Sequence, residues 1–350
     1  MRSAARFLLS ITVNRERNGR RLEEDGRLSI RRGKMKAKTI KWDVATITKP
    51  GLYGGLPLDA YHAAKICDGY SISSSGLRSI FNESPADFYC EWRGNPQRIE
   101  VKESRHFIVG RAVHHLMLGE PFFAKLFAIQ PEDYEDEKTG EVKKWSNNAN
   151  ACKRWHEQRK QEGRTVLTLN EVEAIKGMAQ SLGNHPIIRH GALNGMIERS
   201  IFWRDKKTNI WLKSRPDSIP GDSGDFVDLK TTTSVQWPDL VRTIGDFGYH
   251  QQGSLVRQAA REVLGIERPT FTLVFIQKTP PYSSRVVTFK DNDLDRGDKQ
   301  NRAALDIFAQ CIKANHWPGP GGDREDAEYV ELSEFAQKRI DEKLTIMGAG

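Results

Sequence analysis

The chain has 350 residues, 38% apolar and 29% charged, a composition ordinary for a soluble globular protein of one large domain or two modest ones. No apolar run approaches the ~20 residues that a membrane span requires. The formal charge of +8 sits at one end: residues 1–40 carry twelve Lys and Arg against four Asp and Glu, and the rest of the chain is balanced. Cys67, Cys90, Cys152 and Cys311 are scattered, with no CxxC pair and no His at finger spacing. That pattern argues against a zinc finger, an iron-sulfur cluster and a disulfide framework, and fits a reducing cytosol.

The segment from Met1 to Lys38 is Arg-rich, and its one apolar patch, Phe7 to Val13, has no small-residue cleavage site after it. It reads as a disordered basic tail covering residues 1–40. A sharper alternative places the true start of translation at Met35, because globular patterning begins only beyond it.

Gly51 to Pro57 reads as a turn-rich loop and Leu58 to Ile66 as a helix. Ser71 to Ser75 opens a helix through Leu77 and Ile80, with Ser73 or Ser74 as N-cap. A further helix over 84–92 holds Pro85 in its first turn, where a missing N–H is harmless. Tyr61, Phe88, Tyr89 and Trp92 read as packing residues. Between Phe107 and Leu118 the pattern predicts a buried helix with Gly110 and His114 on one face, so that the glycine lets a backbone or ligand approach the histidine.

Residues 130–165 read as a polar loop with one helix from about Ala149 to Gln161, and the acidic run Glu132 to Glu137 lacks the glycine and spacing of a calcium loop. Leu169 to Leu182 reads as a helix with Asn170 as cap and Glu173 as capping-box partner, stopped by His185-Pro186. Three apolar runs, Glu198 to Trp203, Ile210 to Asp217 and Phe226 to Lys230, predict a strand meander. Helices over Trp237–Ile244 and Phe247–Leu264 follow. Beyond them come a hairpin of Thr270–Gln277 with Ser284–Phe289, a helix over Asn301–Ala314, a break at Trp317-Pro-Gly and a helix over Leu332–Leu344. The order predicts an α/β (α+β) fold with one mixed sheet, in a single domain over residues 51–345.

The chemistry concentrates in the meander. The two-residue period puts Trp211, Lys213, Arg215 and Asp217 on one face, and Asp228 with Lys230 on one face of the next strand. Neighbouring strands would bring Asp217 and Asp228 together, with Lys230 beside them and Glu198 on the strand before. Carboxylates gathered in a cleft stay anionic only with a cation between them. Mg²⁺ suits the place, because it takes oxygen ligands and keeps waters and phosphate oxygens in its shell. A lysine two residues on would contact the attacking water or the scissile phosphate. These parts describe metal-assisted phosphodiester hydrolysis. Taken singly, Asp-x-Lys is usually a solvated ion pair and Arg-Pro-Asp a strand-ending turn; the ordered combination is far more specific.

Pro216-Asp217 followed by Asp228-Leu229-Lys230 resembles the PD-(D/E)XK nuclease signature. With Gly110-Arg-Ala-Val-His114, Glu198 to Trp203, Lys213 to Asp217, Val227 to Thr232, Tyr249-His-Gln-Gln252 and Trp317-Pro-Gly in the same order, the chain is similar to the exodeoxyribonuclease VIII family of phage and prophage recombination exonucleases. The resemblance covers roughly residues 51 to 320. It implies a restriction-endonuclease-like core, Mg²⁺ (with Mn²⁺ as a substitute), and processive 5′ to 3′ degradation of one strand of linear double-stranded DNA, leaving 3′ overhangs for strand annealing. A ring-like homo-oligomer, a single-strand annealing recombination protein as partner and a bacterial or phage-infected host cytosol also follow from it. Carried onto this chain, Asp217, Asp228, the Leu229 carbonyl and His114 would bind metal, Glu198 would support the site, and Lys230 would position water. Tyr249 and Gln252 would line the DNA side. The chain departs from the pattern at Val256, where related nucleases often carry Tyr four residues after the Gln.

Phosphate contacts are expected from Arg199, Arg204, Lys206, Lys207, Lys213, Arg215 and Arg242, without sequence preference. Two other functions fit the same motifs: a structure-specific or single-strand endonuclease, and a catalytically inactive DNA-end-binding module. The complete set of Glu198, Asp217, Asp228 and Lys230 argues against the second.

Overall fold

The computed structural model describes residues 37–100, 104–119, 123–197, 199–219, 223–324 and 326–348. Residues 1–36 of the basic segment, Met35 among them, and Glu198 lie outside the described residues, while the end of that segment enters β1. The first third alternates short strands and helices: β1 (Thr39–Lys41), β2 (Gly51–Gly54), α1 (Leu58–His62), β3 (Ser71–Ser73), α2 (Ser74–Asn82), α3 (Pro85–Glu91) and α4 (Arg105–Met117). A peripheral stretch holds α5 (Phe123–Leu126), β4 (Phe127–Ile129), β5 (Asp133–Glu135), β6 (Val142–Lys144), α6 (Asn150–Gln161) and β7 (Thr165–Leu167). After α7 (Leu169–Asn184) and α8 (Pro186–Arg189) come β8 (Arg199–Arg204), β9 (Trp211–Ser214) and β10 (Asp225–Thr232). The chain then runs through α9 (Trp237–Asp246), α10 (Tyr249–Ala259, continued by a π-turn over Ala260–Leu264), β11 (Thr270–Gln277), β12 (Ser284–Thr288), α11 (Asp291–Ala314) and α12 (Glu334–Ile346).

The architecture is mixed α/β, as the pattern predicts, but the strands divide between sheets. A five-stranded sheet has the order β1-β2-β8-β9-β3, and a three-stranded sheet the order β10-β11-β12. Strands β8 and β9 pair antiparallel, β10 and β11 parallel, and β11 and β12 form the expected antiparallel hairpin. The meander is therefore interrupted between its second and third strands. Arg215-Pro216 follows Ser214, and proline has no N–H to give to a ladder. The path resumes only as a bridge in which Ser218 N–H donates to Val227 O at 3.1 Å and Val227 N–H donates to Ser218 O at 3.3 Å. Asp217 lies in the gap between the strand end and that bridge, so the two-residue alternation does not extend to it.

Strand β10 is covered on both sides, which explains its run of large apolar residues. Val227 and Leu229 pack with Ala112, Val113 and Leu116 of α4 and with Val172, Ile175 and Met178 of α7. Phe226 packs on the opposite side with Leu255 and Ala259 of α10 and Leu305 and Phe308 of α11. Helical layers thus cover both faces of this sheet, and both pack on β10.

Several boundaries move for identifiable reasons. Gly51 to Gly54 is a strand rather than a loop, because burial of Leu52 and Tyr53 beside β8 outweighs the poor strand preference of glycine. The box that opens α7 uses Thr168 and Glu171, two residues before the expected pair: Thr168 N–H donates to the Glu171 carboxylate at 2.8 Å and Glu171 N–H to Thr168 Oγ1 at 3.3 Å. Part of the acidic run becomes a hairpin, β5 with β6, tied by Lys144 to Asp133 at 3.0 Å. Helix α11 starts ten residues early, since Asp295 and Asp298 there turn inward to the buried guanidinium of Arg257. Tyr89 stacks on Trp317 at 4.5 Å and Phe88 packs edge-on against Phe308, so these aromatics do pack as expected. All four cysteines are free. No described helix is long and apolar enough to cross a membrane.

Helix α11 presses on α10 through Gly297. A Cβ there would come within 2.7 Å of the His250 carbonyl oxygen and 2.8 Å of Ser254 Cβ. In an open helix Gly to Ala stabilises by about 1 kcal/mol, but here backbone must move to admit the methyl group. Gly297→Ala is expected to lower the melting temperature, with a net loss of about 1–3 kcal/mol on chemical denaturation; a rise in melting temperature would show that the helices are not in this contact.

Candidate active site

Asp228 sits in the middle of β10, 2% exposed, with Lys230 on the same face of the strand. The Lys230 ammonium forms an ion pair with Asp228 Oδ2. Gln252, one turn into α10, donates Nε2–H to Asp228 Oδ1 at 2.8 Å. The Tyr249 ring lies beneath the Lys230 ammonium, 5.1 Å from its centroid, so an aromatic face and a carboxylate hold the lysine together. On the side of α4, Asp217 Oδ2 accepts the Leu229 N–H at 2.7 Å and faces His114 Nδ1 at 3.3 Å. The Gly110 turn gives α4 its close seat: a Cβ at Gly110 would meet Thr231 Oγ1 of β10 at 3.3 Å.

These charges shift one another. Burial raises the Asp228 carboxyl above the usual carboxylate range and the nearby Asp217 raises it further, against the pull of Lys230. Burial would raise Asp217 too, but His114, Lys230 and the Leu229 N–H bring it below its ordinary value. Burial would lower His114, yet Asp217 holds it above the ordinary histidine value. Lys230 loses solvation and still ends raised, because both aspartates favour its charge.

Among the described residues, no three His, Cys, Asp or Glu side chains gather closely enough to hold a metal ion by themselves. The donors nevertheless fit a divalent cation. Asp228 Oδ2 is buried and no hydrogen bond of good geometry reaches it; its contact with Lys230 is an ion pair. Two carboxylates close enough to disturb each other form the kind of oxygen-rich pair that such a cation stabilises.

Seen against the sequence expectations, the structure brings together His114, Asp217, Asp228, Leu229, Lys230, Tyr249 and Gln252. Glu198 falls outside the described residues. Lys213 and Arg215 are corrected: they do not line this site. Lys213, a residue 5% exposed, donates its ammonium to the Tyr61 carbonyl at 2.7 Å, and Arg215 donates to the Leu56 carbonyl at 2.8 Å, both in the layer of α1. Burial lowers Lys213 to about 8, as expected for an ammonium taken out of water. Four other cations named for phosphate contact, Arg204, Lys206, Lys207 and Arg242, pair with Asp68, Glu262, Asp306 and Asp239. Val256, at the departure from the family pattern, is a core residue 1% exposed, and Gln252 makes its contact without help from that position.

Sequence reasoning missed Arg78. From α2 its guanidinium lies over the Tyr249 ring at 5.9 Å and donates to the Phe247 carbonyl. The available signal was a single cation between Leu77 and Ile80 in an otherwise uncharged helix.

No curated protein matches the chain. Among solved structures it is similar to a crystal structure described as a "putative exonuclease" from Eubacterium rectale, with 14% sequence identity and a TM-score of 0.49 over 76% of this chain and 92% of that one. Residues 73–332 match the family described as "PDDEXK-like domain of unknown function (DUF3799)", a span that contains every site residue named above. The chain belongs to this PDDEXK-like family.

Proposed function

We propose that the protein is a divalent-metal-dependent nuclease that degrades one strand of linear double-stranded DNA from its end. The observation that carries the reading is the convergence of Asp217 and Asp228 on one end of a buried ion pair with Lys230, flanked by His114 and Gln252. Mg²⁺, or Mn²⁺ in its place, would be held by Asp217, Asp228, the Leu229 carbonyl and His114, and when bound would activate water and offset phosphate charge. Lys230, held between Asp228 and the Tyr249 ring, would offer its ammonium to the attacked phosphate and the incoming water. Gln252 fixes the rotation of the Asp228 carboxylate, and the Leu229 N–H fixes that of Asp217. Glu198 keeps the supporting role that the resemblance to recombination exonucleases implies.

The need for an end, 5′ to 3′ polarity, a ring-like homo-oligomer and a single-strand annealing partner rest on the resemblance to recombination exonucleases. One digestion separates these choices: linear duplex labelled at the 5′ or the 3′ end, beside a closed circle, with and without Mg²⁺. The expected result is loss of the 5′ label first, a surviving circle and no reaction in chelator. Cutting of the circle would make the protein an endonuclease.

Asp228→Asn and Lys230→Ala should each abolish Mg²⁺-dependent hydrolysis, a fall of about a hundredfold or more, while unfolding stays cooperative; undiminished digestion by either variant would remove the central claim. His114→Ala is expected to raise the Mg²⁺ concentration needed for half-maximal rate by about tenfold to a hundredfold. An unchanged metal titration would make His114 a packing residue.

A further inference from the structure

Three aromatic and aliphatic side chains beside the site are unusually open. Helix α9 buries Leu240 but leaves Trp237 55% and Val241 51% exposed, and Phe247 at its C-terminal end is 59% exposed. Phe247 is not a stray surface residue: its ring stacks on Tyr249, with centroids 5.7 Å apart and planes 18° from parallel. Tyr249 in turn contacts the Lys230 ammonium. A continuous aromatic path therefore leads from solvent to the lysine of the site.

Cations accompany this path. Arg78 lies over Tyr249, and Arg285 of β12 lies over the Trp237 ring at 5.8 Å. Lys230, Phe275 and Arg285 are register partners across β10, β11 and β12, so they project to one face of the sheet in a row. An exposed aromatic face interleaved with cations suits a chain of stacked bases joined by phosphates, since every base offers a π-face and every linkage a negative charge. A protein partner of mainly apolar chemistry would leave the exposed Arg285 unmatched.

We propose that Phe247 and Trp237 form a stacking track for unpaired nucleobases of single-stranded DNA, with Phe247 receiving the base next to the phosphate at Lys230. The inference rests on the nuclease reading and adds what that reading lacks, the feature that distinguishes unpaired from paired nucleotides. Phe247 takes the base face to face, as it already takes Tyr249. Arg285 follows the backbone past Trp237.

Binding is measured by fluorescence anisotropy in EDTA, so that no hydrolysis occurs, with labelled oligothymidine, an abasic oligonucleotide of equal length and a blunt hairpin duplex. Phe247→Ala should weaken oligothymidine binding about tenfold, Phe247→Trp should restore it, and the abasic chain should bind both wild type and Phe247→Ala alike. Trp237→Ala should reduce oligothymidine affinity by about fivefold or more. The Arg78 bond to the backbone of residue 247 survives the substitution, and thermal unfolding checks each variant.

Equal oligothymidine affinity in wild type and Phe247→Ala would overturn the track, as would an equal loss on the blunt duplex or a failure of wild type to bind any of the three. If Phe247→Ala instead changes the oligomeric state in size-exclusion chromatography and leaves DNA binding intact, the face is a contact between copies and the proposal fails. Loss of hydrolysis has no bearing on these readouts: a protein that binds oligothymidine through Phe247 but cleaves nothing would retain the track and refute the nuclease reading.

Discussion

Two carboxylates with little access to water must share one small volume, and the arrangement around β10 answers that constraint. Asp228 and Asp217 disfavour each other's charge, and burial disfavours both. Each therefore has its own supports: Lys230 and Gln252 on the side of α10, His114 and the Leu229 N–H on the side of α4. The helical layers are needed on both faces because one layer could not reach both acids. The contacts that support the two acids are the same ones that orient them.

The break after Ser214 is what allows this division. Had β9 continued as a regular strand, Asp217 would have stayed in alternation with Lys213 and Arg215, whose side chains serve the layer of α1. Proline ends the ladder, the bridge at Ser218 and Val227 recaptures the chain, and the residue between them is free to turn toward β10. The Pro-Asp pair thus acts through the backbone as well as through its carboxylate.

Much of this was legible in the residues. The hairpin of β11 and β12, the helices carrying His114 and Gln252, and the Asp228-Leu229-Lys230 strand each follow from period and composition. What was not legible depends on direction in space. Periodicity assigned Lys213 and Arg215 to the face of Asp217, and no local rule shows where a strand stops alternating. Arg78 gave too little signal because one cation in a short helix is ordinarily solvated. The early start of α11 was hidden by its polar first turns, whose aspartates find a partner in Arg257 only once α10 is docked. The general limit is that sequence reports which residues can be buried or charged, while the identity of the partner comes from packing.

The connection between β10 and its parallel neighbour β11 passes through α9 and α10, so Gln252 reaches Asp228 within a single crossover. His114 comes to Asp217 from a helix far earlier in the chain. Closing the longer loop spans roughly two more doublings of length, about 1 kcal/mol of additional chain entropy. The two halves of the centre thus differ in how firmly connectivity ties them together. A local opening that lifts α4 away would strip Asp217 of its ring partner while leaving Asp228, Lys230 and Gln252 assembled on their own short stretch of chain.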